Sequence, residues 1–111
     1  MIKLEFFENK LTAKISGEID HHSAADFRKQ IDEFLNKKKP EKIILDFNEV
    51  SFMDTSGIGF IMGRFKTAYN LGIKLKVVNI PMMASQTVAK MRTNSKPAYF
   101  ASRIVRNTLV Y

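Results

Sequence analysis

The amino-acid sequence predicts an α/β fold, with a mixed sheet of four to five strands, central parallel strands and three to four helices. Strand-like segments alternate along the chain with segments of helical periodicity, and single helices between strands imply right-handed crossovers and parallel neighbours. The first two strands are instead joined by a short turn, which makes the sheet mixed. At 111 residues the chain has room for one domain, over residues 1–111.

The chain opens with a predicted hairpin. Residues 2–6 and 11–15 alternate apolar and polar side chains, as half-buried strands do, and residues 8–10 form the turn between them. Ser23 with Asp26 three residues later is an approximate capping box, which predicts the start of the first helix there. The apolar stripe that follows has helical spacing and comprises Phe27, Ile31, Phe34 and Leu35.

The middle of the chain repeats the strand–helix–strand order. Pro40 ends the first helix, and residues 43–47 form a continuous apolar run typical of a buried strand. A second helical stripe then comprises Ile58, Ile61, Met62, Phe65 and Ala68. Gly72 suits the C-cap of that helix, and residues 73–78 form another strand that Pro81 ends.

The segment between the buried strand and the second helix is the most informative part of the chain. Thr55 and Ser56 lie where a new helix presents unpaired backbone N–H groups, a position that favours anions, including a phosphate carried by the hydroxyl itself. The local pattern alone favours a plainer interpretation, in which Thr55 or Ser56 is simply the N-cap of this helix. Asp20 and Asp54 follow two successive strands, so both loops are expected at one edge of the sheet.

Charge and composition limit the classes of function. The net charge is +7, and residues 82–111 contain five Lys or Arg and no acid, a composition that can attract nucleic acid. No nucleic-acid reading motif accompanies these charges, so a nucleic-acid partner is not expected. There is no cysteine, no signal-peptide pattern and no apolar run approaching the roughly 20 residues that span a bilayer. We therefore expect a cytoplasmic protein without a membrane association.

Several catalytic motifs can be tested against the same segment. The nucleophile elbow requires a glycine two residues before the serine, where this chain has Asp54, and no phosphate-binding Gly-x-x-x-x-Gly-Lys pattern occurs. His21 and His22 could bind a metal only with further ligands from elsewhere in the chain. The sequence therefore predicts no enzyme activity, cofactor or metal, although a small hydrolase or phosphotransferase remains a weaker alternative.

Two blocks of sequence, residues 17–23 and 51–66, resemble the anti-sigma factor antagonists, which are small STAS-domain proteins. Both blocks occur at the spacing of that family, and the resemblance covers residues 1–81. It implies a STAS fold and a protein that binds a nucleotide-bound anti-sigma factor serine kinase and so releases the sigma factor. It also implies that this kinase phosphorylates Thr55, or its neighbour Ser56, and that a metal-dependent serine/threonine phosphatase reverses the modification. Family members commonly carry serine at the position of Thr55.

The resemblance also implies a partner-binding surface. Its residues would be Asp20, His21, Asp54, Thr55, Ser56, Gly57, Ile58, Gly59 and Arg64. For three positions on the second helix the residue types favour plainer roles, namely internal packing for Gly59 and Gly63 and an exposed helix charge for Arg64. A STAS module that scaffolds another signalling complex is the main alternative function.

Residues 82–111 depart from the family pattern. A helix over residues 82–91 and a strand over residues 104–111 are still predicted, and part of the segment could be disordered. Either genuine divergence or an altered reading frame would explain its composition.

Overall fold

The computed structural model describes residues 1–81, together with the backbone of residues 103–105 and 108–110. The elements, in chain order, are β1 (Ile2–Phe7), β2 (Lys10–Ile19), α1 (His21–Lys38), β3 (Lys42–Met53), α2 (Thr55–Leu71), β4 (Lys74–Val78), β5 (Arg103–Val105) and β6 (Thr108–Val110). The strands form one sheet in the order β1-β2-β3-β4-β6-β5.

The sheet is mixed, as predicted. β2, β3 and β4 are parallel neighbours, whereas β1 pairs antiparallel with β2 and β6 pairs antiparallel with both β4 and β5. The α/β class with central parallel strands is therefore confirmed. The single strand predicted over residues 104–111 is instead the short pair β5 and β6, so the described sheet has six strands rather than the predicted four to five. The helix predicted over residues 82–91 lies outside the described residues.

The core lies between one face of the sheet and the two helices. Alternate strand residues point into it, and the helices contribute most of the stripes that the sequence predicted. The exceptions are Phe34, Ile58 and Met62, which are half-buried, and Phe60, which is buried although the predicted stripe did not include it. The strand contribution comprises Leu11, Ala13, Ile15, Ile19, Ile43, Leu45, Phe47, Met53, Leu75 and Val77, and the helical contribution comprises Phe27, Ile31, Leu35, Phe60, Ile61, Phe65 and Ala68. Each fully buried Leu, Ile or Phe stabilises the fold by about 1.5–3 kcal/mol. This packing places α1 against β2 and α2 against β3 and β4.

Left-handed backbone conformations end the elements where the sequence predicted turns. Glu8 and Asn9 have φ of 50° and 62°, the geometry of the two-residue turns that best match strand twist. Lys39, with φ 45°, follows the last residue of α1 and donates its N–H to the Leu35 carbonyl. Gly72, with φ 71°, is the C-cap of α2 and confirms the prediction for that residue.

The opposite face of the sheet carries a row of three lysines, Lys10, Lys42 and Lys74. They are direct neighbours in the register of β2, β3 and β4, and each precedes a buried core residue, so their side chains share the face away from the helices. None forms an ion pair within the described part of the chain. Like charges directly opposite each other across strands destabilise a sheet.

Candidate functional site

The carboxyl ends of β2 and β3 bring two loops together. The strands are parallel, Ile19 is the register partner of Met53, and the Asp54 N–H donates to the Ile19 carbonyl at 3.3 Å. Asp20 and Asp54 therefore begin adjacent loops at one edge of the sheet. The convergence expected from the topology is confirmed.

Asp20 caps the first helix. Its Oδ1 accepts from the backbone N–H groups of His22 at 3.0 Å and Ser23 at 2.9 Å, and Ser23 Oγ accepts from the Asp20 N–H at 2.9 Å. The backbone N–H of Ser23 is the main reason that the pKa of Asp20 lies below its usual range. The predicted capping box of Ser23 and Asp26 is wrong, because Asp20 takes the N-cap and Ser23 the third helical position.

Asp54 caps the second helix in the same way. Its Oδ1 accepts from the Ser56 N–H at 2.8 Å, and its backbone is extended, with φ −94° and ψ −166°. The alternative in which Thr55 or Ser56 is the N-cap is therefore wrong. Thr55 and Ser56 are the first two helical residues, and neither hydroxyl hydrogen-bonds to any residue that the structure describes.

The two hydroxyl residues differ in their surroundings. Thr55 is exposed, whereas Ser56 is half-buried and lines a groove between α1 and α2 with a volume of about 320 Å³. His21 and Arg28 line the same groove from α1. Thr55 is therefore the more accessible of the two hydroxyl residues.

The three glycines of α2 have two different environments. A Cβ at Gly59 or Gly63 would meet no atom within 4 Å, so the prediction that these glycines serve internal packing is wrong; they leave the groove open. Gly57, in contrast, is buried. A Cβ there would overlap the Met53 side chain, lying 2.5 Å from its Sδ, and would also lie 3.3 Å from Ile19 Cγ2.

Arg64 is buried rather than an exposed helix charge, which corrects that prediction. The side chain is 4% exposed, with Nε 2.9 Å from Asp32 Oδ1 and Nη2 3.1 Å from Asp32 Oδ2, and its guanidinium carbon lies 5.4 Å from the Phe60 ring centroid. Burial raises the pKa of Asp32, against the opposing effects of Arg64 and Arg28, and burial likewise lowers the pKa of Arg64. Arg64 thus joins α1 to α2 and lies at the groove between them.

Around the hydroxyls lies a mixed polar and apolar surface. His21 is exposed at the start of α1, and Ile58 is half-buried on α2. The sequence analysis did not single out Phe52, which is 47% exposed two residues before Asp54. In the sequence, Phe52 could have been noticed only as a large aromatic residue after the regular alternation of buried and half-buried positions in β3 ends.

The Thr55 and Ser56 hydroxyls have no polar side-chain partner among the described residues. No side chain hydrogen-bonds to the Thr55 or Ser56 hydroxyl, so neither has an activating base. Over the same part of the chain there is no cluster of three His, Cys, Asp or Glu side chains that could hold a metal ion, and no helix is long and apolar enough to cross a membrane. The fold and the site are those of a small α/β domain that carries two hydroxyl residues at the start of α2.

The chain belongs to the STAS domain family, whose sequence model matches residues 1–104. The anti-sigma F factor antagonist of Paenibacillus polymyxa is 35% identical over 79 residues, which are 71% of this chain and 68% of that protein. The anti-sigma-B factor antagonist of Bacillus subtilis is 34% identical over 73 residues, 66% of this chain and 65% of the relative. These matches confirm the resemblance to the family, and the family model extends it to residue 104, beyond the residues 1–81 over which it was expected.

Solved structures of SpoIIAA share the fold. The unphosphorylated anti-sigma factor antagonist SpoIIAA has a TM-score of 0.69 and 25% identity, covering 78% of this chain and 80% of that one. The phosphorylated form of the Bacillus cell fate determinant SpoIIAA has a TM-score of 0.70 and 26% identity, with 84% of each chain covered. The relatives are named for antagonising a factor and not for a reaction, which confirms the prediction of a regulatory protein that is not an enzyme.

Proposed function

We propose that this chain is a cytoplasmic anti-sigma factor antagonist whose binding is switched off by phosphorylation of Thr55. Its partner is an anti-sigma factor that acts as a nucleotide-bound serine kinase, and a metal-dependent serine/threonine phosphatase reverses the modification. Relatives named as anti-sigma factor antagonists, and a SpoIIAA structure in a phosphorylated form, support this role.

One observation carries the choice of Thr55. Because Asp54 supplies the N-cap, the Thr55 hydroxyl has no capping duty, and its residue is exposed at the first helical position. A kinase can therefore reach this oxygen without unfolding the helix start. Ser56 is half-buried beside the groove and is the second choice as acceptor.

The physical effect of the phosphate falls on binding more than on folding. A phosphate adds about −1.5 to −2 charges beside Asp54. In the free protein the helix N-terminus offsets part of this by roughly 0.3–1 kcal/mol, and water solvates the rest. Inside a complex the same group must be desolvated, which costs several kcal/mol unless it is paired. Since about 1.4 kcal/mol changes affinity tenfold, this cost is enough to end binding.

The contact surface in this proposal surrounds Thr55. Its polar members are Asp20, His21, Asp54, Thr55 and Ser56, and Ile58, Gly59 and Phe52 add apolar or open surface. Phe52 is the natural anchor, because exposed aromatic residues that become buried often dominate binding energy. Gly57 and Arg64 are buried, so they support the shape of this surface from within.

The test is phosphorylation by candidate anti-sigma kinases with ATP, followed by mass mapping and a binding assay. We expect label on Thr55 in the wild type and none there in Thr55→Ala, with Thr55→Ser still labelled. Thr55→Glu should bind the anti-sigma factor kinase at least about tenfold more weakly than the unphosphorylated wild type does. Ser51→Ala, an exposed hydroxyl change on β3, is the matched control and should change neither result.

Three outcomes would contradict the proposal in different ways. Label on Ser56 alone would move the acceptor by one residue. Binding that Thr55→Glu and Ser56→Glu both leave unchanged would point instead to a scaffold without this switch. Turnover of a small phosphate ester or acyl ester without labelling would indicate an enzyme.

A further inference from the structure

The outer edge of β1 has a free hydrogen-bonding face. The Met1 nitrogen donates to the Ser16 carbonyl and the Ser16 N–H donates to the Met1 carbonyl, both at 2.9 Å, so Met1 is a hydrogen-bonded pair with Ser16. In an antiparallel ladder such pairs alternate with residues whose polar backbone groups point the other way. Ile2, Leu4 and Phe6 therefore direct their N–H and C=O groups away from β2. Among the described strands none lies beyond β1 on that side.

This edge is also unusually apolar. Phe7 is 75% exposed and Met1 84% exposed, and Phe6 is exposed next to them although its ring meets Phe34 edge-on at 5.2 Å. Natural edge strands usually carry charges, prolines or bulges that discourage pairing with another chain. β1 carries two charged residues, Lys3 and Glu5, and these have opposite signs.

The sequence of β1 is complementary to itself in one register. If two copies pair antiparallel with Leu4 opposite Leu4 of the partner subunit, Lys3 lies opposite the partner's Glu5. In that register Ile2 lies opposite the partner's Phe6, and Met1 opposite the partner's Phe7. Ile2, Leu4 and Phe6 are the residues whose backbone groups point outward, so the three pairs form six backbone hydrogen bonds about a two-fold axis.

Repulsion between like charges disfavours the two neighbouring registers. If the centre of pairing moves by one residue along β1, the outward-pointing backbone groups of the two copies still pair with each other. Lys3 then lies opposite Lys3 of the partner subunit, or Glu5 lies opposite the partner's Glu5. Like charges directly opposite each other are destabilising, whereas opposite charges and apolar pairs stabilise a strand pair. We propose that the chain forms a homodimer through β1 in the Leu4-centred register, which continues the sheet from one copy into the other.

The proposal is independent of the phosphorylation switch, since it uses none of the residues around Thr55. Within one chain Glu5 already lies 3.1 Å from Lys14 and 4.0 Å from Lys3. In the dimer each Glu5 lies between Lys14 of its own chain and the partner's Lys3. A single strand pair is a small interface, so the dimer is expected to be weak and to depend on concentration.

The test is sedimentation velocity of the full chain from roughly 10 µM to 1 mM, a range suited to weak association. We expect a concentration-dependent dimer for the wild type. Lys3→Glu and Glu5→Lys should each weaken dimerisation about tenfold, because both cross-strand charge pairs become repulsive. Lys29→Glu, an exposed change of the same kind on α1, is the matched control and should not affect the dimer.

An equimolar mixture of Lys3→Glu and Glu5→Lys provides the decisive result. Only in the Leu4-centred register does each glutamate of one variant face a lysine of the other, so the two variants should associate with each other more tightly than either associates with itself. Circular dichroism would verify that both variants fold. A wild type that stays monomeric at the highest concentration would overturn the proposal, as would a mixture that fails to associate or a dimer that neither variant weakens.

Discussion

The substitution Gly57→Ala should destabilise the protein, although the same change elsewhere on α2 should stabilise it. Gly57 is the third helical residue and lies directly above the buried Met53 side chain at the end of β3. A methyl group there overlaps Met53 and approaches Ile19. Gly59 and Gly63 have open space at the corresponding position, so they are matched controls within one helix.

The expected magnitudes follow from two opposing effects. Replacing a helical glycine with alanine gains about 0.8–1 kcal/mol of stability where nothing obstructs the methyl group. Adding a methyl group to a packed core costs about 1–3 kcal/mol. Gly59→Ala and Gly63→Ala should therefore each stabilise by nearly 1 kcal/mol, whereas Gly57→Ala should destabilise by up to about 2 kcal/mol once the helical gain is subtracted.

Urea denaturation at fixed pH measures these differences directly, because the three variants share one helix and one reference protein. A second substitution tests the cause. In a Met53→Ala background the added methyl group has room, so the loss in free energy of unfolding caused by Gly57→Ala should shrink by about 1 kcal/mol or more. If Gly57→Ala is as stabilising as Gly59→Ala, the close packing of the α2 start on Met53 is not what restricts this position.

Three further predictions concern charged groups. Arg64→Met should raise the pKa of Asp32 further, because Arg64 opposes the effect of burial there; a carboxyl titration by NMR that shows a fall would contradict this. The pKa of Asp20 is lowered in the folded protein, so the ionised side chain stabilises the fold above the pKa of the unfolded chain, near 3.8. This stabilisation is lost as the pH falls through the lowered pKa of the folded state. Asp20→Asn should remove this part of the pH dependence of the free energy of unfolding, as measured by urea denaturation between pH 7 and pH 3. An unchanged pH dependence would contradict the role of Asp20 as the stabilising N-cap. Lys42→Gln should stabilise by roughly 0.5 kcal/mol in low salt by relieving the lysine row, and the gain should shrink in about 0.5 M salt; an equal gain in both would show that charge is not the cause.

Hydrophobic periodicity predicted the elements well where the pattern is regular. The helical stripe of α1 and the alternation of β1 gave the correct type and approximate bounds. β2 was predicted only over residues 11–15, although it extends to Ile19, because register shifts near Ser16 and Gly17 interrupt the period of two. The extension of β3 to Met53 was missed for a similar reason, since its last residues are mostly exposed and no longer alternate.

The site was predicted from sequence in its location but not in its details. Asp20 and Ser23 have the same three-residue spacing as Ser23 and Asp26, so only the path of the chain out of β2 decides which residue caps the helix. The burial of Arg64 depends on Asp32, 32 residues away on another helix, and a local pattern carries no information about that contact. The openness around Gly59 similarly depends on how the helices cross.

The hydrogen bond from the Asp54 N–H to the Ile19 carbonyl gives the two loops a built-in reporter. This single amide proton bridges the turn that precedes α1 and the turn that carries the hydroxyls. Its exchange with deuterium is slow only while the two turns stay together, so one NMR cross-peak would register any separation of them. Following that peak during titration with a regulator would distinguish rigid docking from docking that opens the edge of the sheet.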